Sequence, residues 1–140
     1  MEKLIVSACL LGEACRYDGK SKPCEKVKRL AEKYELIHVC PEVFGGLSTP
    51  RPPSEMQNDG SFINALGEDV TANYRKGAEE TLRIAKENGC KLAILKEKSP
   101  SCGVHKRYDG TFTGTLTEKS GITASLLREN GITVMSEDDL

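Results

Sequence analysis

Leu4-Ile5-Val6-Ser7-Ala8-Cys9 is the stretch that decides the fold: a short apolar, partly β-branched run that ends on a thiol. Runs of this length and composition are strands covered on both faces, as in a parallel sheet. Three more follow, Leu36 to Val39, Leu92 to Leu95 and Ile132 to Met135. Parallel strands need crossover connections, and the segments between them carry helical periodicity. Cys24, Val27, Leu30, Ala31 and Tyr34 recur at three- and four-residue spacing, with Lys26, Lys28, Arg29 and Lys33 on the other side. Pro23 suits the first turn of that helix.

A longer helix is predicted from Ala72 to Asn88, with Tyr74, Ala78, Leu82 and Ala85 on its buried stripe and Gly89 placed to close it in a left-handed conformation. A last helix covers Ile122 to Glu129, stopped by Asn130-Gly131. Right-handed crossovers follow from this order. Pro41 to Val70 breaks the rhythm, being rich in Gly and Pro, with a hairpin expected between Ser61 to Asn64 and Glu68 to Thr71 around Ala65-Leu66-Gly67. A loop this long in a compact domain is usually functional. The expected fold is α/β: a single Rossmann-like, three-layer domain over residues 1–140, with about four parallel strands flanked by helices and a functional loop with a small hairpin between the second and third strands.

Composition agrees with that frame. With 140 residues, 38% hydrophobic and 29% charged, the chain is long enough for one core, since domains of about this size bury roughly 70% of their unfolded surface. No apolar run approaches the ~18 residues that would span a bilayer. The start, Met1 to Val6, has too short an apolar stretch for a signal peptide, so a soluble, cytoplasmic protein is expected. Twenty basic against twenty-one acidic residues leave no positive excess for a polynucleotide, which favours a small-molecule partner over nucleic acid or a membrane. Self-association is left open.

Six cysteines in a chain with a good core and no secretion signal are expected to stay reduced, for metal binding or catalysis rather than disulfides. Cys24 falls on the apolar face of the first helix, and Cys90 at the start of the third strand, away from the carboxyl ends; both read as packing residues. Cys9 closes the first strand, Cys15 follows in its loop, Cys40 closes the second strand, and Cys102 lies in Ser99-Pro100-Ser101-Cys102-Gly103 after the third. In an open parallel sheet the crevice at the carboxyl ends of the strands is where ligands bind, so these four thiols can meet. Spacing alone is a modest signal, because no Cys-x-x-Cys pair is present. The two histidines make a His-dominated metal site improbable: His38 alternates within a strand, and His105 is at most a supporting group. Gly12 is the only glycine between the first strand and Cys15, so no dinucleotide or Walker-type phosphate loop is present.

Six ordered blocks run through nearly the whole chain: Ser7-Ala8-Cys9-Leu10-Leu11-Gly12, Cys15-Arg16-Tyr17-Asp18-Gly19, Cys40-Pro41-Glu42 with Gly45-Gly46-Leu47, Pro50-Arg51-Pro52-Pro53, Ser99-Pro100-Ser101-Cys102-Gly103 and Tyr108-Asp109-Gly110-Thr111-Phe112. Together they resemble the bacterial and archaeal family called domain of unknown function 523, whose characterised members include thiouracil desulfidases. The resemblance implies a 4Fe-4S cluster held by three cysteines and removal of sulfur from a thiolated heterocycle such as 2-thiouracil without net redox chemistry. It further implies an iron without a protein ligand, open to sulfur as catalytic zinc is open to water.

Under that resemblance the metal ligands are expected to be Cys9, Cys40 and Cys102, each following a different strand, with Cys15 as the alternative ligand in the place of Cys40. Glu42, two residues beyond Cys40, is the expected general base, and Ser99 or Ser101 a proton relay or ring-binding group, with Ser99 preferred. Arg51, stiffened by its prolines, is expected to bind the heterocycle or to anchor a carboxylate, with Glu55 as its candidate partner. Asp18 and Asp109, each before a glycine, read as turn formers. Two other classes use the same thiols: a redox or zinc-thiolate module with a Cys9–Cys15 disulfide, and a cluster-binding, sulfur-handling accessory protein.

Overall fold

The computed structural model describes all 140 residues and places the four apolar runs in one parallel sheet. Strand β1 is Glu2–Ser7 and ends in a short 3-10 turn, Ala8–Leu11. A single helical turn, α1 (Glu25–Lys28), continues as a 3-10 turn and leads into β2 (Tyr34–Val39). Next come α2 (Pro41–Phe44), an antiparallel pair β3 (Ser54–Met56) and β4 (Phe62–Asn64), the long helix α3 (Thr71–Glu87) and β5 (Leu92–Leu95). A second small hairpin, β6 (Arg107–Tyr108) with β7 (Leu116–Thr117), precedes α4 (Ile122–Glu129) and β8 (Thr133–Ser136).

The main sheet has the order β2-β1-β5-β8, all parallel, with Leu4 opposite Leu36, Ile5 opposite Ala93 and Ile94 opposite Met135. Alternation along β1 sends Ile5 to one face and Leu4 and Val6 to the other. Ile5 joins Ala93, Leu95, Ala85, Ala124 and Leu127 in the core under α3 and α4. Leu4 and Val6 join Ile94, Leu10 and Val27 in a smaller core covered by the α1 segment. Both faces are therefore covered, and the three-layer α/β expectation holds. After β2 the chain crosses back over β1 to reach β5, so the strand order reverses between β1 and β5. Loops that leave a sheet at such a reversal diverge and open a crevice at its carboxyl edge.

Three local expectations are corrected. The first helix is shorter than its periodicity suggested: Tyr34 pairs with Glu2 at the start of β2, and that ladder takes the last residues of the expected helical stripe. Pro23 stands before the cap residue Cys24 rather than in the first turn. The hairpin pairs Phe62–Asn64 with Ser54–Met56, turning at Asp59, whose carboxylate accepts from the Ser61 amide at 2.9 Å. The expected second arm keeps only the bridge between Ile63 and Asp69. There the Asn64 carbonyl side chain accepts the amides of Leu66 and Glu68, both at 3.0 Å, and bends the chain towards α3.

Helix α3 buries Tyr74, Gly77, Ala78, Thr81 and Ala85, a stripe of the period its sequence carries. Its glycine is a contact requirement: a Cβ on Gly77 would stand 1.9 Å from the Pro41 carbonyl oxygen, and one on Gly45 would stand 2.0 Å from that of Asn73. Helices α2 and α3 thus meet backbone to backbone. Gly77→Ala is expected to destabilise the protein by about 3 kcal/mol or more, since overpacking against backbone leaves no side chain to yield. Urea unfolding monitored by circular dichroism measures the loss.

Candidate active site

The crevice at the carboxyl edge encloses a cavity of about 390 Å³, within the range of small-molecule sites. Its wall combines the ends of three strands. Ser7 to Cys9 arrive from β1, Cys40 to Glu42 from β2 through the first turn of α2, and Lys96 to Pro100 with Cys102 from β5; Cys15, Arg16 and Tyr17 close one side. Arg51, Glu55, Tyr108 and Phe112 also face this space.

All four expected thiols line the cavity, whereas Cys90 is buried in the core under α3 and Cys24 packs against the smaller core. Burial pushes the Cys9 thiol up to about 11, against the pull of the Lys96 ammonium. Burial also drives the Cys102 thiol well above its ordinary range, opposed by the Ser7 hydroxyl, and the charges of Cys40 and Cys9 add to the rise. Cys40 behaves differently: a hydrogen bond with the Cys15 side chain, aided by the Val43 amide at the start of α2 and by Arg51, brings it down to about 7. Cys15 is raised by the same contact. In its thiol form Cys40 donates to the Cys15 carbonyl at 3.7 Å. Cys40 is therefore the sulfur most ready to ionise.

No three His, Cys, Asp or Glu side chains gather closely enough to share one metal ion. Cys9, Cys40 and Cys102, with Cys15 beside Cys40, instead line one cavity. That arrangement fits an iron-sulfur cluster, whose thiolates bind separate irons and stand further apart than the ligands of a single ion.

Glu42 sits in the first turn of α2, partly buried beside the thiols. Its Oε1 accepts from Tyr74 Oη at 2.7 Å and from Arg51 Nε at 3.2 Å. Its Oε2 has a single, longer contact, the Ser99 hydroxyl at 3.5 Å. One carboxylate oxygen is thus held by the protein, and the other faces the cavity. Ser99 Oγ also accepts the amides of Ser101 and Cys102 at 3.1 and 3.0 Å, which fixes the loop that carries Cys102.

Two expectations change here. Ser101 is fully buried, with its hydroxyl 2.6 Å from that of Thr123; it packs the loop onto α4 and is absent from the cavity wall. Arg51 reaches the site, but its guanidinium is committed: besides Glu42 it donates to the carbonyls of Ser48 and Cys15 at 3.1 and 2.9 Å and to Thr49 Oγ1 at 3.1 Å. It anchors a carboxylate, one of its two expected roles. Its partner is Glu42, not Glu55, whose Oε1 accepts the Gly110 and Phe112 amides instead.

His38 and His105 pair with Glu13 and Asp139, and neither histidine lines the cavity. Asp18 and Asp109 accept amides two residues ahead, as turn formers do. Residues that sequence reasoning left out are Tyr74, placed only on a buried stripe, and Glu97. A buried tyrosine hydroxyl requires a partner, so Tyr74 carried a usable signal. Glu97 follows β5, is buried, and collects the amides of Val104, His105 and Lys106 at 2.7, 2.8 and 3.1 Å. Burial opposes its charge, but those amides outweigh it and hold the carboxyl below its ordinary value. Its other oxygen, Oε2, is buried without a hydrogen-bond partner.

The chain is similar to known proteins along nearly its whole length. Residues 4–139 match the family model described as 2-thiouracil desulfurase. The chain is 42% identical over 146 residues to the uncharacterised protein YbbK of Bacillus subtilis (strain 168), covering 98% of this chain and 97% of that protein. Among solved structures it is similar to the [4Fe-4S]-dependent thiouracil desulfidase TudS, with a TM-score of 0.94 and 46% identity, covering 100% of this chain and 93% of that one.

Proposed function

The chain belongs to the 2-thiouracil desulfurase family, and from that membership we propose that it is an iron-sulfur-dependent desulfidase that hydrolyses a thiolated heterocycle such as 2-thiouracil and releases sulfide. One observation carries the reading: the Glu42 carboxylate, with Oε1 held by two donors and Oε2 only by a long contact to Ser99, lines the same cavity as Cys9, Cys40 and Cys102, which follow three different strands. Cys9, Cys40 and Cys102 hold the 4Fe-4S cluster, and Cys15, hydrogen-bonded to Cys40, stands beside them as the alternative ligand. When bound, the cluster supplies a sulfur-seeking Lewis acid at the iron that lacks a protein ligand.

The remaining work falls to the side chains. Glu42 Oε2 takes a proton from water as the oxygen adds to the thiocarbonyl carbon. A carbon–oxygen bond forms, the carbon–sulfur bond breaks with its electron pair leaving on sulfur, and the protons end on sulfide, so no electron donor or acceptor is needed. Tyr74 and Arg51 hold Oε1 so that Oε2 points at the reacting atoms, which is the positioning such a base requires. Ser99, next to Oε2, relays a proton or binds the ring. Arg51 acts through Glu42 and the Cys15 loop rather than on the heterocycle.

The test is oxygen-free purification and reconstitution with iron and sulfide, followed by incubation with 2-thiouracil and no reductant. Uracil and sulfide are expected in equal amounts. A brown, cluster-loaded preparation that releases no sulfide from 2-thiouracil or from other thiolated heterocycles sinks the reading and leaves a cluster-binding accessory role.

A further inference from the structure

We propose that Phe112 is the face on which the planar ring of the substrate stacks, and that it selects aromatic thiocarbonyl compounds over saturated ones; this rests on the desulfidase reading and adds a specificity residue to it. Phe112 lies in the turn between β6 and β7, where the backbone leaves it little freedom. The hydroxyls of Thr111, Thr113 and Thr115 run in a chain, 2.6 and 2.8 Å apart, that ends on the Asp109 carboxylate. Phe112 and Gly114, between those threonines, both line the cavity.

Two features mark Phe112 as more than a surface aromatic. Its φ is +56°, and besides Lys98 it is the only non-glycine residue with a positive φ. A bulky side chain adopts that conformation only when its surroundings impose it, and such residues cluster at ligand sites. The surroundings are visible: the buried Glu55 carboxylate takes the amides of Gly110 and Phe112 at 2.9 and 3.3 Å, and the Gln57 side chain donates to the Gly110 carbonyl at 3.2 Å. Gly110 itself sits so close to β3 that a Cβ would come within 2.8 Å of the Met56 carbonyl oxygen. Yet the ring thus positioned is 42% exposed and belongs to neither core. The fold thus holds an apolar ring at the cavity in a left-handed backbone conformation, outside both cores.

The experiment compares wild type, Phe112→Leu, Phe112→Trp and Phe112→Gly, all reconstituted without oxygen; calorimetric binding of 2-thiouracil and of 5,6-dihydro-2-thiouracil is read with Glu42→Gln added to each, where turnover is expected to be slow, and KM and kcat are read with Glu42 intact. The two compounds share the thiocarbonyl and both amides, but only the first is a flat aromatic ring. Stacking predicts that wild type prefers 2-thiouracil, that Phe112→Leu weakens it on the order of tenfold with little change for the dihydro compound, and that Phe112→Trp restores the preference. KM should follow binding while kcat stays within about twofold, because stacking is made equally before and during the reaction. Phe112→Gly should lose the preference yet raise the melting temperature by roughly 2–4 °C, since glycine adopts this φ freely. A Phe112→Leu protein that discriminates as wild type does, or a wild type without preference, overturns the proposal. A preference that depends on Phe112 in a loaded protein that releases no sulfide keeps the stacking face and removes the reaction.

Discussion

Serine at position 9, 40 or 102 should give a folded protein that retains almost no iron, whereas serine at position 15 should leave the cluster in place. Each of the three thiols follows a different strand, so on the proposed ligand set losing one removes a whole side of the holder, and a hydroxyl is a poor substitute for a thiolate on iron. The fold should tolerate the exchange because sulfur and oxygen are close in size and the strands around them stay paired. Cys40 is favoured over Cys15 because it directly follows β2 and is held near ionisation by the start of α2, Arg51 and the Cys15 side chain. Iron and acid-labile sulfide after oxygen-free reconstitution measure the result. Full iron in Cys40→Ser with loss in Cys15→Ser reverses the assignment.

Glu42→Gln is expected to keep the cluster and lower kcat by about 10²–10⁴-fold, the usual contribution of a positioned general base. The amide still accepts from Tyr74 and Arg51 through its carbonyl oxygen, so the change at the cavity is confined to the other atom, which becomes a donor and takes no proton. Loss of rate at unchanged iron content separates this role from a structural one. A variant with wild-type kcat and normal colour would move the proton transfer to another group, with Ser99 nearest.

The main sheet was legible because its central strands, β1 and β5, are continuous apolar runs buried on both faces, and its edge strands, β2 and β8, carry shorter apolar runs of the same kind. Helices α3 and α4 were legible for the complementary reason, since their apolar stripes and terminal glycines agree. The first helix misled because Tyr34 satisfies the helical spacing and the β2 ladder equally well, and only pairing with β1 decides between them. One arm of the first hairpin, Ser61 to Asn64, was legible, but its partner strand and the second hairpin escaped because two or three residues per strand carry no period, and the pairing depends on Asp59, Asn64 and Glu55 bonding to backbone.

In the candidate site, the convergence of Cys9, Cys15, Cys40 and Cys102 followed from strand ends alone, while the ligand number and the role of Glu42 came from the family resemblance. What stayed hidden were side-chain commitments. Nothing local told Arg51 to choose Glu42, or Ser101 to turn towards Thr123, because those partners come from elements distant in sequence.

The proposed set of Cys9, Cys40 and Cys102 would also set when the protein can be loaded, because these thiols follow β1, β2 and β5 in chain order. During synthesis the segments bearing Cys9 and Cys40 emerge first, but the third corner arrives only with the loop beyond β5. A growing chain therefore offers iron an unfinished grip, and chain growth proceeds from the amino end. On that set, loading would wait until the loop beyond β5 has been made, so acquisition of colour would report that the three thiols have been brought together.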